Sequence, residues 1–404
     1  MTTVAVRLHD HVVGHLAFAR GSSGFAFDPS YVNLPSRPVL SQSFEQRGLA
    51  RPVRQANGIP GFFSHLLPAH DGPLHRLLAG QHRFKDDFEL LEILGRDLPG
   101  AVTIASVTRG PDPLPVAAHP VLGELRFSLA GMFLKLPANL DPADRLMVPA
   151  YGVGGRWILK FPSLTMPDIT VVESLMLRWA RGCGLNVPDH QLVLAGQVGN
   201  LPPDVAAATP LLAVKRFDRN DLGTPVHAED FAQALGLPNT PRGLYELVSY
   251  SNLAQLVATL AQAQDRVEFC RRLVFMVLSG NGDAHTKNWG ILYPDQRTAV
   301  LAPAYDLVCT RLYPNAAKDE LALSLRGKRA GKAWADATRE HVLAVFQVAG
   351  VDATTAQDVL EQVCLAAPAA LERAVEESHA AGLNPDKVQS VRSHLVSALH
   401  NLQR

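Results

Sequence analysis

The chain opens with two runs in which apolar and polar residues alternate, "TVAVRLHD" (3–10) and "HVVGHLAFA" (11–19), which meet at a polar turn. A period of two sends one face of a strand to the core and the other to water, so two short antiparallel strands are predicted to start a small sheet. After the Pro- and Ser-rich "NLPSRPVLSQS", the segments "FFSHLLPAHDGPLHRLLAG" and "DDFELLEILGRDLPGAV" place apolar residues at helical spacing, each run ended by Gly or Pro. The stretch "RGPDPLPVAAHP" (109–120) holds four prolines and predicts a domain boundary. From 121 to 217 strand patterns return in "ELRFSLA", "MFLKLPA", "RWILKFPS" and "PLLAVKRFD", with the amphipathic helix "DITVVESLMLRWARGCG" inserted before the last of them. From about 226 the pattern is helical through "HAEDFAQALG", "YELVSYSNLAQLVATLAQA" and "RVEFCRRLVFMVLSG", interrupted by the short β pair "WGILY" and "TAVLAP". An Ala-rich helical region ends the chain. The expected organisation is therefore 1–108, 109–222 and 223–404.

Composition narrows the class. A chain of 404 residues with 47% apolar and 19% charged residues is globular and too long for one ordinary core. Lys plus Arg and Asp plus Glu are equal at 38 each, so no overall field draws the molecule to nucleic acid or to an anionic membrane. Cys183, Cys270, Cys309 and Cys364 lack paired spacing and read as reduced core thiols. The N-terminus has no unbroken apolar stretch of signal-peptide type and no window reaches the ~18 apolar residues of a membrane span, so the expectation is a cytoplasmic protein.

The concentrated chemistry lies in "NGDAHTKN" (281–288), a polar octapeptide between the apolar "RRLVFMVLSG" and "WGILY". One reading is a plain polar turn, with Asp as a cap and Asn in a left-handed conformation. The other starts from Asp283 and Asn288, separated by four residues as in the D-x-x-x-x-N catalytic loop of kinases. Asp283 would accept the proton of an attacking hydroxyl, and Asn288 would offer its side-chain oxygen to a magnesium ion on the phosphates. A second metal carboxylate is then expected beyond a short hairpin, and Asp306 stands there within "YDL" (305–307). The same scheme asks for a strand lysine paired with a helix glutamate. Lys160 in "RWILKF" and Glu173 in the next helix supply that order; each alone reads better as a solvated surface charge, and only the two together in this order favour the kinase scheme. "YGVGGR" (151–156) and "FSLAGMFLK" (127–135) compete as the phosphate cradle, and the first fits a simple hairpin turn as well.

With these pieces in order, the sequence resembles the HipA family of bacterial Ser/Thr protein kinases, the toxin halves of HipA/HipB-type toxin–antitoxin pairs. The resemblance covers nearly the whole chain. It rests on N-x-D-x-H-x-K-N at 281–288, Pro303 with "YDL", "FFSHLLP", "LLEILGRDLPGAV", "SLAG" (128–131), "ILKFP" (158–162), "VKRFDR" (214–219), "EDFAQALG" and "PRGLYE". It implies an α+β, two-lobed kinase-like fold: a mixed N-terminal lobe with an extra N-terminal subdomain, a helical C-terminal lobe, and ATP in the cleft. It further implies that Asp283 is the catalytic base, that Asn288 and Asp306 hold Mg2+, that Lys160 contacts the ATP phosphates, that His285 lies in the nucleotide site, and that residues 215–217, with Lys215 and Phe217, form the hinge beside adenine. Ser128 corresponds to an autophosphorylation site, where added charge would expel the surrounding loop from the ATP site.

The sequence departs from the family in two places. Met132 and Phe133 follow Gly131 where relatives carry Gln two residues after that glycine, and Lys215 replaces a common Glu. The implied partners are a HipB-like helix-turn-helix antitoxin, through which DNA would be contacted, and a protein substrate such as an aminoacyl-tRNA synthetase. Two other readings remain open. D-x-H-x-x-N also resembles the loop of phosphoinositide-type kinases, which suggests a lipid or small-molecule kinase. A largely non-catalytic co-repressor partner of a DNA-binding antitoxin is the second, with residues 1–108 as docking surface or simply a stabilising lobe. A metal hydrolase built on "DAH" lacks the closely spaced further ligands it would need.

Overall fold

The structure, a computed structural model, describes all residues except 71, 108–133, 150–153, 164, 202–204, 314–318, 328–330 and 379–381. The expectations for Ser128, for Met132 and Phe133, for most of the candidate phosphate loop 127–135 and for the first half of 151–156 therefore lie outside the described residues. The chain forms two compact units, each discontinuous in sequence. The first comprises Met1–Phe161, Val193–Asn239 and Leu292–Thr298, and the second comprises Pro162–Leu192, Thr240–Ile291 and Ala299–Arg404.

In the first unit, β1 (Thr2–Leu8), β2 (His11–Ala19), β3 (Ser22–Phe27), β4 (Val53–Gln55) and β5 (Val102–Ser106) form a sheet in the order β4-β3-β2-β1-β5. The period-two pattern of the N-terminus sends Val4, Val6, Leu8, Val13, Leu16 and Phe25 into the core, against Phe62, Phe63, Leu90, Leu91 and Leu94. Arg20 and Gly21 both take positive φ (53° and 81°), the handedness that lets a tight hairpin follow the strand twist. The segment "DDFELLEILGRDLPGAV" is helical only over Asp87–Leu94. Gly100, at φ 75°, turns the chain, and the β-branched Val102, Thr103 and Ile104 pair with β1.

A second sheet in the order β7-β6-β8-β10-β9 is built from β6 (Lys135–Leu140), β7 (Leu146–Met147), β8 (Trp157–Lys160), β9 (His190–Leu194) and β10 (Pro210–Lys215). The sequence pattern places "HAEDFAQALG" in a helix, but His227–Asp230 is a strand (β11), and only Phe231–Ala234 is helical. The reason is local. Asp230 accepts from Gln233 N while the Gln233 side chain returns to the Asp230 N–H, so this capping box fixes the helix start at Asp230. His227 and Glu229 are then free to alternate inward as strand residues.

The second unit is mostly helical. Helix Ala263–Ser279 is buried almost all round over Leu273–Leu278, and Phe275 meets Trp179 of helix Ile169–Gly182 edge-on. Trp179 in turn donates its indole N–H to Ala367 O of helix Ala353–Ser378. The last helix, Pro385–Gln403, starts with Asn384 accepting from Asp386 N and buries Val388, Val391, Leu395, Ala398 and Leu402 at helical spacing. Among the described residues no helix is long and apolar enough to cross a membrane. The four cysteines are unbridged, three of them buried, and burial pushes the Cys309 thiol up to about 11.

Candidate active site

Helix Ala263–Ser279 cannot continue through Gly280, which takes the left-handed conformation (φ 66°, ψ 35°) while Asn281 N reaches back to Met276 O at 3.0 Å. The octapeptide then closes on itself. Asn281 Oδ1 accepts from Asp283 N (3.0 Å), Asp283 O accepts from His285 N (2.7 Å), and His285 Nδ1 accepts from Lys287 N (3.2 Å). Trp289 Nε1 and Tyr250 Oη both donate to Ala284 O at 3.2 Å, and Gly282 N donates to Thr310 Oγ1 at 2.9 Å.

These bonds sort the side chains. Asn281, Ala284, Thr286, Asn288 and Trp289 are buried, whereas the side chains of Asp283 and His285 keep 35% and 13% of their exposure. A polar turn would satisfy its own backbone and leave its carboxylate as a cap. Here Asp283 caps nothing with its side chain: Oδ1 accepts from Tyr245 Oη at 2.5 Å and lies 3.9 Å from His285 Nε2.

Asn288 Nδ2 donates to Asp283 O at 2.7 Å, which fixes the amide orientation and turns Oδ1 away as an acceptor. A magnesium ion takes oxygen donors and is commonly held by one or two protein side chains together with substrate phosphates. Asn288 Oδ1 and a carboxylate of Asp306 fit that donor chemistry. Among the described residues no three His, Cys, Asp or Glu side chains gather as a dedicated cation cage.

Asp306 follows the hairpin of β12 (Gly290–Tyr293) and β13 (Val300–Leu301), which is closed by Ala302 N to Gly290 O at 2.9 Å. Its φ of 52° is left-handed, a conformation that costs a non-glycine residue about 1 kcal/mol and recurs at functional positions. Tyr305 Oη donates to Lys287 O at 2.8 Å, so the Tyr305–Asp306 segment is tied to the turn that carries Asp283 and Asn288.

The remaining expected residues are distributed over both units. Lys160 ends β8, level with Leu212 on β10 and Lys135 on β6, and both lysines are buried, which rules out a solvated surface role. Glu173 is buried within helix Ile169–Gly182 of the second unit. Lys215 ends β10 with Nζ 2.9 Å from Asp221 Oδ1, and Phe217 follows it half-buried.

Two features escaped the sequence reading. The first is Tyr245, present only as a letter of "PRGLYE" and of "YELVSYSNLAQLVATLAQA". The second is a buried ionic cluster around the end of β10. Arg216 donates to both oxygens of Asp218 at 2.8 Å, and Arg219 lies 2.7 Å from Asp97 Oδ1 and 3.0 Å from Asp218 Oδ2. Gly100 N donates to Asp218 Oδ2 and Gly154 N to Asp97 Oδ2. Burial pushes the Asp218 carboxyl up, but the charge and hydrogen bonds of Arg216, then the charge of Arg219, more than reverse this and hold it well below the usual carboxylate range. The oppositely charged letters of "GRD" and "KRFDR" were the available signal, and no periodicity links them across the intervening chain.

Residues 127–371 match the HipA-like C-terminal domain, and residues 4–105 match the HipA N-terminal domain. A putative kinase, Y4dM of Sinorhizobium fredii, is 42% identical over 328 residues, 78% of each chain. The serine/threonine-protein kinase toxin HipA of Shewanella oneidensis is 27% identical over 354 residues, 77% of this chain and 76% of that protein. Among solved structures, the Shewanella oneidensis complex of HipA, HipB and operator DNA contains a chain that superposes with a TM-score of 0.73 at 20% identity, covering 99% of this chain and 97% of that one. That similarity shows the fold.

Proposed function

Since the chain belongs to the HipA family, we propose that it is a Mg-ATP-dependent serine/threonine protein kinase whose general base is Asp283. The observation that carries the reading is the Asp283 carboxylate. It projects from a turn whose backbone is otherwise internally bonded, remains 35% exposed, and shares that turn with an Asn288 amide whose Nδ2 is held by Asp283 O, which leaves Oδ1 as the acceptor. In this role Asp283 accepts the proton of the attacking hydroxyl, and the acceptors of Asn288 and Asp306 would hold Mg2+. When bound, the cation neutralises charge on the transferring phosphoryl group.

Lys160 is assigned to the phosphates and pairs with Glu173, His285 lines the nucleotide site, and Lys215 and Phe217 form the adenine hinge. The division into 1–108, 109–222 and 223–404 is the functional one: an N-terminal subdomain, then the pieces bearing Lys160 and Asp283. The partner is a HipB-like antitoxin, by analogy with the complex of Shewanella oneidensis. The substrate is a protein such as an aminoacyl-tRNA synthetase, in the cytoplasm where ATP is supplied. Autophosphorylation falls on Ser128, which intact mass after ATP incubation reads as a gain lost in Ser128→Ala.

The test is transfer of label from γ-labelled ATP in the presence of Mg2+. Label entering protein in the wild type and absent in Asp283→Ala is expected. Label entering lipid, or none in the folded wild type, defeats the assignment.

A further inference from the structure

The residue that touches the proposed base is itself held on several sides. Helix Pro241–Tyr245 is a single short turn, capped by Thr240 Oγ1 accepting from Gly243 N at 3.2 Å, and Tyr245 is its last residue. The Tyr245 phenol donates to Asp283 Oδ1 at 2.5 Å, and its ring meets the His285 imidazole edge-on, centroids 4.8 Å apart at 85°. The Tyr245 carbonyl accepts from Lys332 Nζ at 2.7 Å, and the same ammonium reaches Ala322 O at 2.9 Å. Burial, followed by the Asp283 charge, pushes the phenol far above its ordinary range, so it stays a proton donor throughout the neutral region.

We propose that Tyr245 is a positioning residue for the phosphoryl-transfer step: it pins Asp283 by Oδ1 so that Oδ2 faces the acceptor hydroxyl. The inference rests on the reading of Asp283 as base. An ionised carboxylate offers about four lone-pair sites over two oxygens, and a free Asp side chain turns about two torsions. A donor fixed on Oδ1 removes that freedom, in the way that the third member of a catalytic triad orients the second. Oδ2 accepts no hydrogen bond from any described residue. During transfer the acceptor hydroxyl oxygen bonds to Pγ while the bond from Pγ to the β,γ-bridging oxygen breaks. The hydroxyl proton passes to Oδ2, and ADP leaves with the electron pair of the broken bond. A phenol that merely plugged the acceptor position would have to leave first. Tyr245 is instead anchored at ring, hydroxyl and carbonyl, and Asp283 keeps 35% exposure with the phenol already bound.

The experiment uses the full chain with γ-labelled Mg-ATP, reading label in the protein itself and in added dephosphorylated casein. Tyr245→Phe is expected to lower the rate at saturating ATP roughly 10- to 100-fold, the cost of a misplaced catalytic group, while the ATP concentration for half-saturation and the melting temperature stay near wild type. Site-specific 3-fluorotyrosine at 245, which keeps the donor, restores the rate. A Tyr245→Phe rate equal to wild type overturns the proposal, and so does a faster one, which would make the phenol a plug. If Tyr245→Phe does not fold, Lys332→Met frees the Tyr245 carbonyl without touching Asp283. A slower rate with unchanged ATP half-saturation then supports the proposal, and an unchanged rate overturns it. A wild type that transfers no phosphate while binding Mg-ATP defeats the functional reading itself and is told apart from these outcomes by that control.

Discussion

The buried cluster of the first unit and the octapeptide turn of the second treat charge in opposite ways. Around Asp97, Arg216, Asp218 and Arg219 each carboxylate meets a guanidinium, and the spare acceptors are filled by Gly100 N and Gly154 N, so nothing charged is left to meet a ligand. In the turn, the Asp283 side chain has one phenol donor, His285 Nε2 3.9 Å away and a third of its surface open. A fully paired buried charge is expensive to disturb and chemically idle, whereas a half-satisfied, half-exposed carboxylate is cheap to remove and chemically available. Buried charge by itself therefore marks structure here, and incomplete satisfaction marks the site.

That contrast is open to attack at several levels. Asp283→Ala is expected to lower phosphate transfer by roughly 10²- to 10⁴-fold, with a melting curve that overlays the wild type, because the side chain holds little of the fold. A large loss of stability in that variant would erase the distinction between the two regions. Asp218→Ala should do the reverse. Leaving Arg216 and Arg219 short of a buried partner costs about 3–5 kcal/mol in urea unfolding, whatever becomes of the activity.

A third test uses the strand that the sequence reading placed in a helix. Glu229 accepts from Ser41 Oγ (2.6 Å), Gln42 N (3.0 Å) and Tyr293 Oη (2.5 Å), and burial raises its carboxyl to about 7 from 4.5. The folded state then holds a proton that the unfolded state releases between these values, so this group's stabilisation is present below pH 4.5 and fades as pH rises through about 7. Burial lowers the neighbouring strand residue His227 to about 4 from 6.5, and its contribution fades instead as pH falls through that range. The two slopes oppose one another between pH 4.5 and 6.5. Glu229→Gln keeps an acceptor but removes one slope, so the variant's stability should climb with pH from 4 to 6.5 by up to about 3 kcal/mol where the wild type is nearly flat. Chemical denaturation at several pH values reads this directly. The smallest effect belongs to the exposed Arg178–Glu377 pair (2.9 Å), where Arg178→Ala should change stability by less than about 1 kcal/mol.

Much of this was legible from letters. The alternation of "TVAVRL" and "HVVGHLAFA" gives β1 and β2 nearly to the residue, and the apolar stripes give helices Ile169–Gly182, Ala263–Ser279 and Pro385–Gln403. The capping box hid the His227–Asp230 strand, because "HAEDFAQALG" carries a helix start in its middle and its first half was read with the second. Strands Val102–Ser106 and Val53–Gln55 were missed for another reason: each is short, and only its partner across the sheet makes it a strand. At the site, the spacing of Asp283 and Asn288 named two residues, but nothing in the spacing could name Tyr245, thirty-eight positions upstream.

By itself the sequence determined which residue types could do chemistry and the state of the strongly periodic segments, since both follow from local periodicity and from the reach of one loop. The tertiary structure alone decided which polar side chains are spent on one another and which are left over. Whether a carboxylate meets two guanidinium groups or a single phenol depends on contacts between distant segments, and those contacts set the desolvation and pairing that separate an inert charge from a reactive one.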